Sequence, residues 1–221
     1  MSLNLVKSFL QFALTAVLAG ASAVALAQVQ PVAGKDYHVI STPQNTDAPG
    51  KVEVVEFFWY GCPHCYNLEP AIQPWSKKLP KDVVFRRIPA MFNENWATAG
   101  RIFYTLEAMG ELERLHLPLF DAIHKDNLRI TSKSALDEWL KKQNVDVAKF
   151  DSTLKSFAVE GRIKRATQLT QAYAQMDGVP ALIVNGRYLA LSSMSGSNEK
   201  LLATVDYLIG LSREPAKAAA K

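Results

Sequence analysis

The apolar positions of this chain change their period along its length, and each change marks an element. Residues 51–60, KVEVVEFFWY, form a nearly unbroken run of β-branched and aromatic side chains. A short run of that kind predicts a strand buried on both faces. Gly61 ends it. Cys62-Pro63 then opens a helix, where proline suits the first turn because its missing N–H is not needed there. Leu68, Ile72, Trp75 and Leu79 follow at helical spacing. Pro70 and Pro74 fall inside this helix and should kink it or end it early. Residues 83–88, VVFRRI, predict the next strand.

The middle of the chain carries a helical period. Ala99, Ile102, Phe103 and Leu106 share one face, with Gly110 as the stop. Ser132 or Ser134 caps a helix that buries Leu136, Trp139 and Leu140. Asp146 caps another, with Val147, Phe150 and Leu154. A longer helix is predicted from near Phe157 to Met176, with Ile163, Ala166, Leu169 and Tyr173 inward. Aromatic and methionine positions on these faces read as core. Residues 178–191, GVPALIVNGRYLAL, are two apolar runs around Asn185-Gly186, a strong hairpin signal. Ser197 caps a last helix through Leu201, Val205 and Leu208. The predicted order is β-α-β, a helical block, then β-β-α.

The ends of the chain read differently. From Ser8 to Ala27 only Gln11 is strongly polar, Lys7 is the only charge before Lys35, and the run closes in Ala25-Leu26-Ala27. A basic start, an apolar middle and a small-x-small end predict a secretory signal peptide, residues 1–27, removed on export. Cleavage after Ala23 or Ala25 and an uncleaved anchor are the alternatives. Residues 213–221 read as a solvated tail. The net charge of +4 becomes +3 without Lys7, and the chain has no long basic run. That balance does not argue for nucleic acid.

The chemistry rests on the chain's two cysteines, Cys62 and Cys65. A bridge between them closes too small a loop to constrain the unfolded chain, so they are a poor staple. They supply half of a tetrahedral metal site, and no further cysteine or suitably spaced histidine completes it. His38, His116 and His124 have no partner at metal-like spacing and read as structural. In an exported chain a disulfide persists, so redox chemistry is the favoured reading. A C-x-x-C between strand and helix beside a β-α-β unit predicts an α/β, thioredoxin-like fold, with the helical block inserted into it.

Unpaired N–H groups and the helix dipole favour a thiolate at Cys62, which should be the exposed, acidic sulfur. Cys65, one turn inside, should be more buried and keep a higher pKa. His64 either stabilises the Cys62 thiolate or is a solvent-facing turn residue. Glu56, between Val54 and Phe58 on one strand face, is either buried near the sulfurs or on an exposed edge. Trp59 and Tyr60 either line an apolar surface for unfolded clients or pack in the core. Arg87 reads as a solvated strand-end residue.

VEFFWYGCPHCYNLEP, followed far downstream by GVPALIVNGRY, resembles the DsbA family of periplasmic thiol–disulfide oxidases. The resemblance spans nearly the whole chain after residue 27. It implies a thioredoxin-like domain over 28–94 and 176–212 with a helical insertion over 95–175. It implies catalytic work for Cys62, Cys65, His64, Glu56 and Pro180, and substrate contact at Pro63, Val179 and Pro180. Val179–Pro180 is then a cis bond facing the cysteines, and Glu56 an acid beneath the active site that relays the proton of Cys65. Arg87 aligns loosely with a basic residue near that acid. No cofactor is implied beyond the Cys62–Cys65 disulfide. The implied partners are exported proteins with free thiols and a quinone-linked membrane reoxidase of the DsbB type. A disulfide isomerase or reductase on the same fold is the alternative, and a dithiol metal carrier a remoter one. Such an isomerase usually carries a separate dimerisation domain, for which the mature chain has no room, so a monomer is expected. Some members have a second cysteine pair in the helical block; this chain does not. Pro74 is not explained by the family pattern.

Overall fold

A computed structural model describes residues 30–213. The predicted signal peptide lies outside the described residues, as does the tail beyond Arg213. Within them, no helix is long and apolar enough to cross a membrane.

The element order is β1 (His38–Val39), β2 (Val52–Phe58), α1 (Pro63–Ser76), β3 (Val83–Pro89), α2 (Glu94–Ala108), α3 (Leu112–His124), α4 (Lys133–Lys142), α5 (Val147–Leu154) and α6 (Phe157–Ala172). Then come β4 (Ala181–Val184), β5 (Tyr188–Leu191), α7 (Ser192–Ser195) and α8 (Asn198–Arg213). The strands form one mixed sheet in the order β1-β5-β4-β2-β3. β2 runs parallel to β3 and antiparallel to β4, and the other pairs are antiparallel. This is the thioredoxin-like α/β fold, with the helices α2 to α6 inserted between β3 and β4.

β2 is buried along its whole length, as its unbroken apolar run requires. Its two faces feed two cores. Val54 packs with Leu68 and Ile72 of α1 and with Leu201, Val205 and Leu208 of α8. Val55 and Phe57 face the inserted helices, among Phe103, Leu115 and Phe120. The helical period of α1 and α8 therefore covers one side of the sheet, and the inserted block covers the other.

The helix starts follow from local chemistry. Ser132, Asp146, Ser156 and Ser197 accept hydrogen bonds from the backbone N–H three residues on. Gly110 follows α2 in the left-handed region at φ 73°, and Glu111 N–H closes on Leu106 O at 2.8 Å.

Three expectations differ. α1 runs through both Pro70 and Pro74 to Ser76 instead of ending early. Both rings are exposed, so the missing N–H groups fall on the solvent side, where the freed carbonyls are open to water. α6 stops at Ala172, short of Met176. β1 was not foreseen, because two residues carry no period.

The hairpin between β4 and β5 turns at Asn185 (φ 51°) and Gly186 (φ 64°). A Cβ on Gly186 would collide with the backbone oxygen of Gln44, whose N–H in turn bonds to Gly186 O at 3.0 Å. Gly186→Ala should lower stability by about 1–3 kcal/mol through these two effects. Urea unfolding will show it as a lower midpoint at unchanged slope, with the redox equilibrium of the cysteines unmoved.

Candidate active site

Cys62 is the N-cap of α1, with extended backbone (φ −87°, ψ 116°), and Pro63 begins the helix. The turn that delivers it is closed by Cys62 N–H to Trp59 O at 2.9 Å. Gly61 lies under the Trp59 ring so closely that no Cβ fits. Cys62 Sγ accepts from the Cys65 N–H at 3.4 Å and stands 3.4 Å from the backbone oxygen of Val179. Both cysteines are free thiols. Cys62 is 8% exposed, against the expectation of an open sulfur; the Val179–Pro180 loop covers it. Cys65 is fully buried.

The two sulfurs differ as their places require. The hydrogen bond with Cys65, the backbone amides of Cys65 and His64, and the charge of His64 outweigh burial and bring Cys62 down to about 6. Burial drives Cys65 far up, and its hydrogen bond with Cys62 and the charges of Cys62 and Glu56 add to this.

Val179–Pro180 is a cis bond. Val179, Pro180, His64 and Asn67 line one cleft of about 610 Å³ beside the redox turn. His64 and Pro63 are exposed on the first turn of α1. The predicted residues Cys62, Pro63, His64, Cys65, Val179 and Pro180 thus meet at one place, with Glu56 behind them.

Glu56 is fully buried on β2. In the parallel register it stands opposite Arg87 of β3. Arg87 Nε donates to Glu56 Oε2 at 3.0 Å, and its Nη2 donates to Glu69 Oε2 at 3.2 Å. The reading of Arg87 as a solvated strand end is therefore corrected: parallel pairing turns its guanidinium inward, over the Phe85 ring. Glu69 also accepts from Gln73 Nε2 at 3.0 Å and from His116 Nε2 at 3.2 Å. His116 Nδ1 in turn accepts from the Tyr60 hydroxyl at 2.8 Å.

The two carboxyls end up in opposite states. Burial pushes Glu56 up to about 8, against the pull of Arg87 and with the charges of Glu69 and Cys62 assisting. One of its oxygens, Oε1, has no partner. Burial pushes Glu69 up as well, but its hydrogen bond from His116, the Arg87 charge and Gln73 bring it below the usual range. Burial and the nearby Arg87 hold His116 below its ordinary value despite Glu69. A neutral imidazole that donates through Nε2 and accepts at Nδ1 fits both of its bonds.

Glu69, His116 and His124 carry more than sequence reasoning assigned them. Glu69 was overlooked, although an acid between Leu68 and Ile72 on the inward face of an apolar helix is a readable signal. His116 and His124 read as structural, yet both touch Tyr60, His124 Nε2 donating to its backbone oxygen at 2.8 Å. Tyr60 itself is fully buried, which settles its reading as core. Trp59 is half-buried and stacks on Trp96 with centroids 4.7 Å apart. Among the described residues no three His, Cys, Asp or Glu side chains gather as a metal site needs.

A dithiol at the head of the helix after β2, an interior strand of a thioredoxin-like sheet, with one sulfur acidic and the other fully buried, defines a thiol:disulfide oxidoreductase. A family model for the DSBA-like thioredoxin domain matches residues 70–202. The chain is 45% identical to the thiol:disulfide interchange protein DsbA of Pseudomonas aeruginosa over 92% of its own length and 97% of the relative. It is 43% identical to that of Pseudomonas syringae, over 92% and 94%. The crystal structure of Pseudomonas aeruginosa DsbA superposes with a TM-score of 0.80 at 45% identity, covering 85% of this chain and 97% of that one. The chain belongs to the DsbA family.

The state of Glu56 has a pH signature. Its folded pKa of about 8 lies above the ordinary carboxyl value of 4.5, so the folded state holds the proton more tightly than the unfolded one. Its contribution to stability therefore falls as pH rises from 4.5 through 8 and is flat above. Urea unfolding of the oxidised protein at pH 5 and pH 8 should show wild type losing ground to Glu56→Gln over that interval. A difference independent of pH would mean that Glu56 is ionised throughout.

Proposed function

We propose that this protein is an exported dithiol oxidase that donates its Cys62–Cys65 disulfide to polypeptides newly arrived in the periplasm. The observation that carries this reading is the asymmetry of the sulfurs, with Cys62 on the open amides of α1 and Cys65 buried behind it. A substrate thiolate attacks Cys62 Sγ. The Cys62–Cys65 bond breaks, a mixed disulfide forms at Cys62, and Cys65 leaves with the electron pair. Burial makes a lasting thiolate at Cys65 costly, so it takes a proton, for which neutral Glu56 is the source at hand. A second substrate thiolate then attacks the substrate sulfur and releases Cys62 as the stabilised thiolate. Substrate leaves with a disulfide, and the enzyme leaves reduced by two electrons.

A stabilised Cys62 thiolate stabilises the reduced enzyme, and a stable reduced form makes its disulfide a strong oxidant. DsbA is itself the familiar case of a lowered cysteine pKa and an oxidising couple, so the direction is what family membership leads one to expect. His64 adds to the thiolate's stability. Pro63, Val179 and Pro180 form the substrate contact, with the Val179 backbone available to pair an extended peptide as an added strand. The disulfide serves as the only redox group, with no separate cofactor. A quinone-linked DsbB-type membrane protein reoxidises the pair. The working unit is a monomer, with residues 95–175 inserted between a thioredoxin-like 28–94 and 176–212.

The redox equilibrium against glutathione tests the direction of electron flow. A couple well above thioredoxin in oxidising power is expected, and one as reducing as thioredoxin would sink the oxidase reading in favour of a reductase or isomerase. The lowered Cys62 pKa also makes the reduced form gain stability over the oxidised form as pH rises. That gain builds from pH 6 and is complete above 9, because the unfolded thiol is protonated below its ordinary value of 9.0.

Cys65→Ser removes the sulfur that closes the cycle. It should accumulate mixed disulfides with secreted proteins, each linked through Cys62. Cys62→Ser is the matching variant and should trap almost none; adducts that accumulate on Cys62→Ser and not on Cys65→Ser would contradict the assignment.

A further inference from the structure

Tyr60, two residues before Cys62, is held at both ends by one face of α3. Its hydroxyl donates to His116 Nδ1 at 2.8 Å, and its backbone oxygen accepts from His124 Nε2 at 2.8 Å. Phe120 packs on the Tyr60 ring between them, with centroids 4.8 Å apart. Positions 116, 120 and 124 are four residues apart and share a face of the helix. α3 belongs to the inserted block, whereas Tyr60 belongs to the turn from β2 into α1. The imidazole of His124 also lies flat against Tyr66, with centroids 4.8 Å apart and planes 2° apart. Tyr66 follows Cys65 on α1, and its hydroxyl donates to Asp121 of α3 at 2.6 Å. One histidine therefore engages the chain on both sides of the cysteine pair.

We infer that His124 is a positioning residue for the redox reaction: it anchors the turn from Trp59 to Cys62, so that the Cys62 sulfur stays on the amides at the head of α1. This inference rests on Cys62 as the attacked sulfur. Cys62 Sγ is 3.4 Å from both Cys65 N and Val179 O. Hydrogen bonds weaken steeply with distance and angle, so the sulfur keeps these contacts only if the turn that carries it is held still. Besides its own Cys62–Trp59 bond, the turn is fastened to the inserted helices by the stack of Trp59 on Trp96 and, nearest the cysteine, through Tyr60. A backbone carbonyl needs a donor, and Nε2 can carry the proton whether the imidazole is neutral or charged. Without that donor, Tyr60 O loses its partner in a half-buried setting. The turn then relaxes and Cys62 Sγ drifts from the amides that stabilise its thiolate.

The test separates the donor from the stack and both from bulk stability. His124→Phe keeps a flat ring on Tyr66 without the N–H. His124→Gln keeps an N–H donor without the ring. Ile123→Ala weakens the core packing of the same helix at a side chain that neither hydrogen-bonds to nor stacks on Tyr60 or Tyr66. For each variant the thiolate absorbance of the reduced protein is followed against pH, and the glutathione equilibrium is measured. His124→Phe should raise the Cys62 titration by about half a pH unit, about threefold in thiolate stabilisation, and weaken the oxidant by about the same factor. His124→Gln should recover most of that loss, and Ile123→Ala should lower the melting temperature with Cys62 unmoved. If His124→Phe fails to fold, His124→Met takes its place in the same comparison. Overturning the inference takes a His124→Phe protein that melts early while Cys62 titrates as in wild type. Alkylation mapping of the wild type separates the two readings. If Cys62 is not the low-titrating thiol, the oxidase reading fails; if it is and His124→Phe matches it, only the positioning role fails.

Discussion

The Cys62 sulfur accepts a hydrogen bond from the Cys65 amide, at the open end of α1, and the rest of the molecule is arranged around that contact. A helix end offers N–H groups with no internal partners, and a thiolate is a good acceptor for them. The helix must therefore stand firmly with its first turn at the surface. It does so because Leu68 and Ile72 are packed between β2 and α8. Pro63 starts the turn without wasting a donor, and the Val179–Pro180 loop closes over the sulfur from the far end of the chain. Cys65 is only one turn deeper, yet it has no comparable set of donors and no water. The same helix thus makes one thiol acidic and holds the other protonated.

Beneath the sulfurs a single guanidinium faces two buried carboxyls. Full ionisation of both would leave a net negative charge in a setting with little water, so one of them keeps its proton. The surroundings decide which one. Glu69 has donors from Arg87, Gln73 and His116, enough to stabilise a carboxylate. Glu56 has Arg87 alone and an oxygen with no partner. Glu56 is therefore the carboxyl that remains neutral, and a neutral acid behind Cys65 is what a departing buried thiolate calls for. The inserted helices contribute through His116 and His124, which tie this network and the redox turn to a second body of the fold.

Much of this could be read along the chain. The buried run of β2, the caps at Ser132, Asp146 and Ser197, the stop at Gly110 and the turn at Asn185-Gly186 all depend on neighbours within a few residues. Such features are set by propensity and local hydrogen bonding. The likeness of CPHC and the later Val-Pro to DsbA proteins was legible for the same reason, being carried by short stretches. That α1 would continue through Pro70 and Pro74 rather than end early was not legible, because the effect of a helical proline depends on whether its turn faces solvent.

The sequence by itself determined the fold class, the redox pair and which sulfur heads the helix, since strand, turn and helix N-terminus follow one another within about fifteen residues. Only the tertiary structure decided the state of the groups around that pair. Arg87 meets Glu56 through the register of two parallel strands, and His116 reaches Glu69 across two helices 47 residues apart in sequence. Val179 reaches Cys62 over 117 residues. A pKa or a donor at such distances depends on burial and on angles between elements, and neither leaves a period or a motif in the chain.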